Sequence, residues 1–169
     1  MAHKGLREPH LLLASSNPMR IMKNLPHILA AEHLQLIDGA ISRESELLYQ
    51  LARSHLDFAA AVPVEQWRQR TSRLYYAAYN CRRALVLRHD GSFSTDSSDH
   101  NNIEKIPDSI PDHAIYSKKL KDLREDRNLA DYSHLAVVTD LLIPIDESLN
   151  LVKNFFEASE LYLRERGVI

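Results

Sequence analysis

Residues 65–90 read EQWRQRTSRLYYAAYNCRRALVLRHD. Trp67, Thr71, Leu74, Ala78, Cys81 and Leu85 recur there in alternating steps of four and three, the spacing that gathers side chains on one face of an α-helix. Gly91 follows where a left-handed helix cap is expected. Working outward, residues 41–61 carry Ile41, Leu47, Leu48, Leu51, Leu56, Phe58 and Ala59 at mixed threes and fours. Ser42 and Ser45 can cap that helix, and Pro63 stops it. A third helix is expected over 113–130, capped by Asp112, with Ile115, Leu120, Leu123 and Ala130 as its apolar side. The last helix ends at Arg166–Gly167 and begins either at Thr139 or with Pro144 in its first turn. Its stripe is Leu149, Val152, Phe155, Phe156, Ser159, Tyr162 and Leu163. Leu135–Val138 is the best strand candidate, and it is only four residues long.

The expectation is therefore an all-α, up-and-down helical bundle of four main helices over residues 41–169. It is preceded by an N-terminal arm, 1–40, marked by Pro9, Pro18 and Pro26, with one short helix near 26–38. The chain has 169 residues, 44% of them hydrophobic and 26% charged, which suits one soluble domain with its own core. The single cysteine, Cys81, excludes a disulfide framework, and its place on the apolar face makes it a small core filler. No apolar run is long enough for a membrane span or a signal-peptide core; Leu11–Ala14 is the longest near the start. A cytoplasmic protein is expected.

The net charge of −2 hides strong segregation. Six arginines (68, 70, 73, 82, 83 and 88) face two acids between Glu65 and Asp90. Ser92 to His113 carries five acids and one lysine, and Tyr116 to Asn128 returns to positive with Lys118, Lys119, Lys121, Arg124 and Arg127. Two basic helices flanking an acidic loop could hold a phosphate backbone. Nine histidines are scattered, with no His-x-x-x-His or Glu-x-x-His pair, so no metal site is expected, though Asp99–His100 could belong to a composite one. There is no glycine-rich phosphate loop, no serine elbow, and no sign of a cofactor.

What remains is LREDRNLADYSH, residues 123–134. Arginine and histidine with five or six residues between them occur four times, at Arg20/His27, Arg82/His89, Arg83/His89 and Arg127/His134. Only the last has telling neighbours: R-x-x-R-x-x-A-D-Y after a basic helix, with SRLYYAAYNCRRAL some fifty residues earlier. Over residues 41–166 this resembles the HEPN superfamily of small all-α domains. Its ribonuclease members carry an arginine, a polar residue, and a histidine after four to six intervening positions.

The resemblance implies a metal-independent ribonuclease acting as a toxin or defence enzyme, with Arg127, Asn128 and His134 as its catalytic group. Histidine can move protons near neutral pH, and arginine can grip two phosphate oxygens and stabilise a phosphorane. One such pair supplies too few groups for base, acid and charge stabilisation, and in the family two protomers pair so that both motifs line one cleft. A homodimer is implied, with Arg73, Arg82, Arg83, Arg124 and Tyr132 as RNA- or nucleotide-binding residues. The alternative is a non-catalytic HEPN module that binds a nucleotidyltransferase partner or a nucleotide. Toxin members that such a partner modifies with AMP carry a tyrosine two residues after the histidine. Here that position is Ala136, and Tyr132 is the nearest phenol. A purely structural reading instead pairs Arg127 with Asp131 or Glu125. The position of His134 is also open: on an unbroken helix it would share a face with Arg127, about 10 Å away, and otherwise it lies in a loop.

Overall fold

The computed structural model describes residues 17–92, 94 and 97–169. The start of the expected arm, including Pro9 and Leu11–Ala14, lies outside the described residues. Five α-helices run α1 Pro18–Asn24, α2 Ala31–Ala61, α3 Trp67–Asp90, α4 His113–Tyr132 and α5 Ile145–Glu165, with no strand among the described residues. Short 3₁₀ turns at Val64–Gln66, Ser97–Asn102 and Val138–Asp140 join them. The all-α helical bundle expected from the periodicity is what forms.

α3 is the central element and packs against α2, α4 and α5. Leu74, Tyr75, Ala77, Ala78, Cys81, Ala84, Leu85 and Leu87 are wholly removed from solvent. Three alanines at the centre let neighbouring helices approach closely, while Leu74 and Tyr75 fill the space between them. α3 carries six arginines, and two of them, Arg70 and Arg82, are buried with it. Phe155, Phe156, Val152 and Leu163 of α5 and Leu120 and Leu123 of α4 complete the core. Burial pushes the Cys81 thiol up to about 12, which leaves it an unreactive filler.

Gly91 ends α3 with φ +77°, as its position predicts. A side chain there would also collide with Asn17, the N-cap of α1, and lie 2.9 Å from Met19 Cβ. Asn17 Nδ2 donates to the Asp90 carbonyl at 2.6 Å, so the cap of α3 and the start of α1 are one joint.

Several boundaries and faces differ from the expectation. Pro26 lies in the turn before α2, and the helix expected at 41 starts at Ala31, so no element boundary falls at residue 40. Nothing in 31–40 breaks a helix except Gly39, which a long, packed helix tolerates at a cost of about 1 kcal/mol. Leu47, Leu51 and Phe58 are exposed, because α2 buries the face of Ile41, Leu48, Ala52, Leu56 and Ala59 against α3. On α4, Ile115 is exposed and Tyr116 takes the buried place. Asp112 stands at the N-cap of α4 in a left-handed conformation, without a side-chain cap bond. α5 begins after Pro144, not at Thr139. No described helix is long and apolar enough to cross a membrane.

Candidate functional site

The middle of α3 and the C-terminal half of α4 lie against each other, and the site forms where they meet. Tyr75, Tyr76 and Tyr79 project from α3, and Arg127 comes from α4. The Arg127 guanidinium donates to the Tyr76 hydroxyl at 2.7 Å and to Asn128 Oδ1 at 3.2 Å. Its Nε lies 2.8 Å from Asp131 Oδ2, an ion pair one turn along the helix whose angle does not make a hydrogen bond. The rings of Tyr75, Tyr76 and Tyr132 stand 5.5, 5.4 and 5.2 Å from its central carbon. Burial disfavours the charge, but Tyr76 and Asp131 more than offset this, so the guanidinium is held more firmly cationic than a free one. Of the structural pairings the sequence allowed, Arg127 takes Asp131 and Arg124 takes Glu125.

His134 lies beyond the end of α4. The helix stops at Tyr132, Ser133 caps it, and His134 is exposed in the following turn. That connection is nevertheless tied down. Arg68, stacked over Trp67 at 4.5 Å, donates to the carbonyls of Ala130 and Ala136, both at 2.7 Å. Buried Asp126 accepts from the backbone of Leu142 at 2.6 Å and Ile143 at 3.0 Å. Asp140 accepts from Val137 N at 2.9 Å. Tyr132, Leu135, Val137 and Leu142 stand exposed along this anchored segment.

The acidic loop enters from the other side. Asp99 is buried and takes Arg82 Nη1 on both oxygens at 3.1 Å, while Tyr79 donates to it at 3.1 Å. Arg82 Nε also donates to the Lys105 carbonyl. His100, the next residue, is thereby laid on Tyr79, ring centres 4.1 Å apart and nearly parallel, with Nδ1 2.6 Å from the Tyr75 hydroxyl. Burial and then the charge of Arg127 push its pKa below the ordinary histidine range, against the pull of Asp99.

The structure therefore brings Arg127, Asn128 and Tyr132 together and sets His134 on the adjoining turn. The arginines expected to form one binding surface do not. Arg82 is buried in its pair with Asp99 and exposes no cation. Arg83 packs over Tyr79 and donates to Asn80 Oδ1 and the Ser94 carbonyl. Arg73 is exposed, over Phe58 and beside His55. It lines an open groove of ≈ 510 Å³ with Phe58, Gln69, Ser72, Tyr76 and Asp131. The sequence reading named His100 only as part of a composite metal site and gave Tyr75, Tyr76 and Tyr79 no role of their own. Their signal was present: Tyr75, Tyr79 and Arg82 follow at four and three, one helical face that chooses aromatic and polar residues where a plain core would take leucine. Among the described residues no group of three or more His, Cys, Asp and Glu could hold a metal ion.

No family model, curated protein or solved structure matches the chain.

Proposed function

We propose that this chain is an RNA-cleaving domain of the HEPN type that works without a metal as a two-fold homodimer in the cytoplasm. One observation carries the reading. A half-buried guanidinium, fixed by Tyr76, Asn128 and Asp131 and walled by three tyrosine rings, is followed seven residues on by an exposed histidine on an anchored turn. Such an arginine is pre-oriented to stabilise the charge that develops on a phosphorane. Asn128 holds the fork in plane, and His134, open to solvent, can carry a proton to or from the ribose. The exposed Tyr132, Leu135, Val137 and Leu142 on the segment that carries His134 support dimerisation there, which would supply the second histidine that acid–base chemistry needs. The resemblance supplies the biological setting, a toxin or defence ribonuclease with a nucleotidyltransferase as its antitoxin.

A second reading has its own support. Arg127 already has three polar partners inside the fold, as a purely structural arginine would. A non-catalytic module that docks a nucleotidyltransferase or a nucleotide would look the same at this residue. Cleavage of unmodified RNA in excess EDTA separates the two. The ribonuclease reading expects products ending in a 2′,3′-cyclic phosphate or its hydrolysis product, and loss of cleavage in His134→Ala. If His134→Ala and Arg127→Ala cut RNA as well as the wild type, the binding-module reading replaces it. Activity that vanishes with EDTA and returns with Mg²⁺ points to another mechanism.

A further inference from the structure

His100 belongs neither to the Arg127/His134 motif nor to the expected basic surface, yet the charge of Arg127 reaches it and its ring is firmly positioned. Three constraints fix it. The buried Arg82–Asp99 pair anchors the residue before it, Tyr79 stacks on its ring, and the Tyr75 hydroxyl takes its Nδ1 edge. A ring held on one face and one edge leaves only its remaining face and edge for a ligand. Such fixation exceeds what a surface loop needs. Side chains locked by a supporting shell are the form that binding sites take.

The hydrogen bond to Tyr75 also sets the tautomer. The Tyr75 hydroxyl is buried, and among the described residues Nδ1 of His100 is its one hydrogen-bond partner. A buried hydroxyl that did not donate would leave a proton unsatisfied, so Tyr75 donates and Nδ1 accepts. The imidazole proton then resides on Nε2, on the edge away from Tyr75. No described residue takes up that N–H. Arg127 shares Tyr75 and Tyr76 as ring neighbours with His100, and its charge acts on the imidazole.

We propose that His100 is a phosphate-binding residue of the Arg127 site, its Nε2–H donating to a phosphate oxygen that the guanidinium also holds. The role is that of a neutral donor. With Nδ1 committed to Tyr75 and Arg127 nearby, this histidine does not act as the proton-transfer base, which remains the task of His134. The inference rests on the ribonuclease reading only for naming the phosphate as an RNA phosphodiester. A rigid cation paired with a rigid neutral donor would bind any phosphate monoester or diester.

The test uses the full chain, labelled with ¹⁵N, and long-range proton–nitrogen spectra of its imidazoles. Two probes are titrated separately: inorganic phosphate, and a tetranucleotide RNA blocked against cleavage by 2′-O-methyl groups. Both should shift the Nε2 signal of His100, which should already show the Nε2–H tautomer in the free protein. His100→Ala should weaken binding of both probes by about tenfold, the loss of one charge-assisted hydrogen bond. His100→Gln, which keeps an N–H donor, should recover part of it. Melting curves verify that each variant is folded. The proposal is overturned if neither probe moves the His100 signal, or if folded His100→Ala binds both as tightly as the wild type. Cleavage by the wild type is scored separately. Phosphate binding at His100 without cleavage of RNA removes the ribonuclease reading and leaves the phosphate site standing.

Discussion

His100 and His134 lie in the connections before and after α4, and they are held by opposite means. The segment around His100 is fixed through side chains: a buried ion pair, a stacked tyrosine and a hydroxyl on the ring itself. The segment around His134 is fixed through its backbone, by Arg68 on two carbonyls and Asp126 on two amides, and the ring stays exposed. Backbone anchoring places a residue while leaving its side chain free to turn and titrate. Side-chain anchoring fixes tautomer and direction, and removes that freedom. A proton-transfer group needs the first arrangement and a fixed hydrogen-bond donor needs the second.

The largest expected effect tests this division directly. His134→Ala should lower RNA cleavage by roughly 10²–10⁴ while changing stability by no more than about 0.5 kcal/mol, since the ring is exposed. Arg127→Ala should lower cleavage comparably, but it should also destabilise. The half-buried Tyr76 hydroxyl loses its charged donor, and a hydrogen bond to a charged group contributes about 1.5–3 kcal/mol. Arg127→Lys should not restore cleavage fully, because a point charge cannot bridge Tyr76, Asn128 and a phosphate at once. Rates and thermal melts on the same preparations check all three. A His134→Ala protein that melts well below the wild type would place that ring in the fold and erase the contrast.

Breaking the anchors sharpens the comparison at the next level. Arg82→Ala leaves Asp99 buried without its cation, and removing one partner of a buried pair costs about 3–5 kcal/mol. It should also release His100 from Tyr79, visible as loss of the ring-current shift on the His100 signals. Arg68→Ala removes two carbonyl contacts at a partly buried position and should cost less, about 1–3 kcal/mol, with no change at His100. Equal melts for the two variants would mean that the acidic loop is no more deeply built in than the His134 turn.

This difference also explains what could be read from the residues alone. The bundle was legible because periodicity reports burial, and α5 obeys it almost residue for residue, while central α3 is also buried beyond its stripe, at Tyr75, Ala77, Ala84 and Leu87. Arg127, Asn128 and Tyr132 were legible because they lie within six residues on one helix. The start of α2 was not, since prolines at 18 and 26 suggested an arm where only the segment before Ala31 is interrupted. Arg82 was read as a surface cation because charge on a helix is usually solvated. Its carboxylate partner lies seventeen residues on, in a loop with no period of its own. His100 escaped for the same reason: its neighbours Tyr75 and Tyr79 are more than twenty residues away, and only the folded loop brings them together.

The smallest expected effect is a pH dependence, and it bears on the His100 side alone. Tyr75, Tyr76, Tyr79, Asp99, Arg83 and Arg127 surround this ring, and burial followed by the charge of Arg127 holds its folded pKa below 6.5. The unfolded chain, with an ordinary histidine, then binds more protons than the folded one between that depressed value and 6.5. Stability from the neutral imidazole is thus full above about pH 6.5 and declines as pH falls through the folded pKa. Protonation would put a second cation beside Arg127 and take away the acceptor of the Tyr75 hydroxyl, so both changes act in the same direction. His55, held low by burial and by Arg73, adds a slope of the same sign, and it must be subtracted. Comparing wild type with His100→Gln does this, because His55 is common to both. Between pH 7 and 5 the wild type should lose more melting temperature than His100→Gln. Parallel acid limbs for wild type and His100→Gln would show that the His100 ring titrates as freely as an exposed one, and the distinction between the two histidines would fail at its most sensitive point.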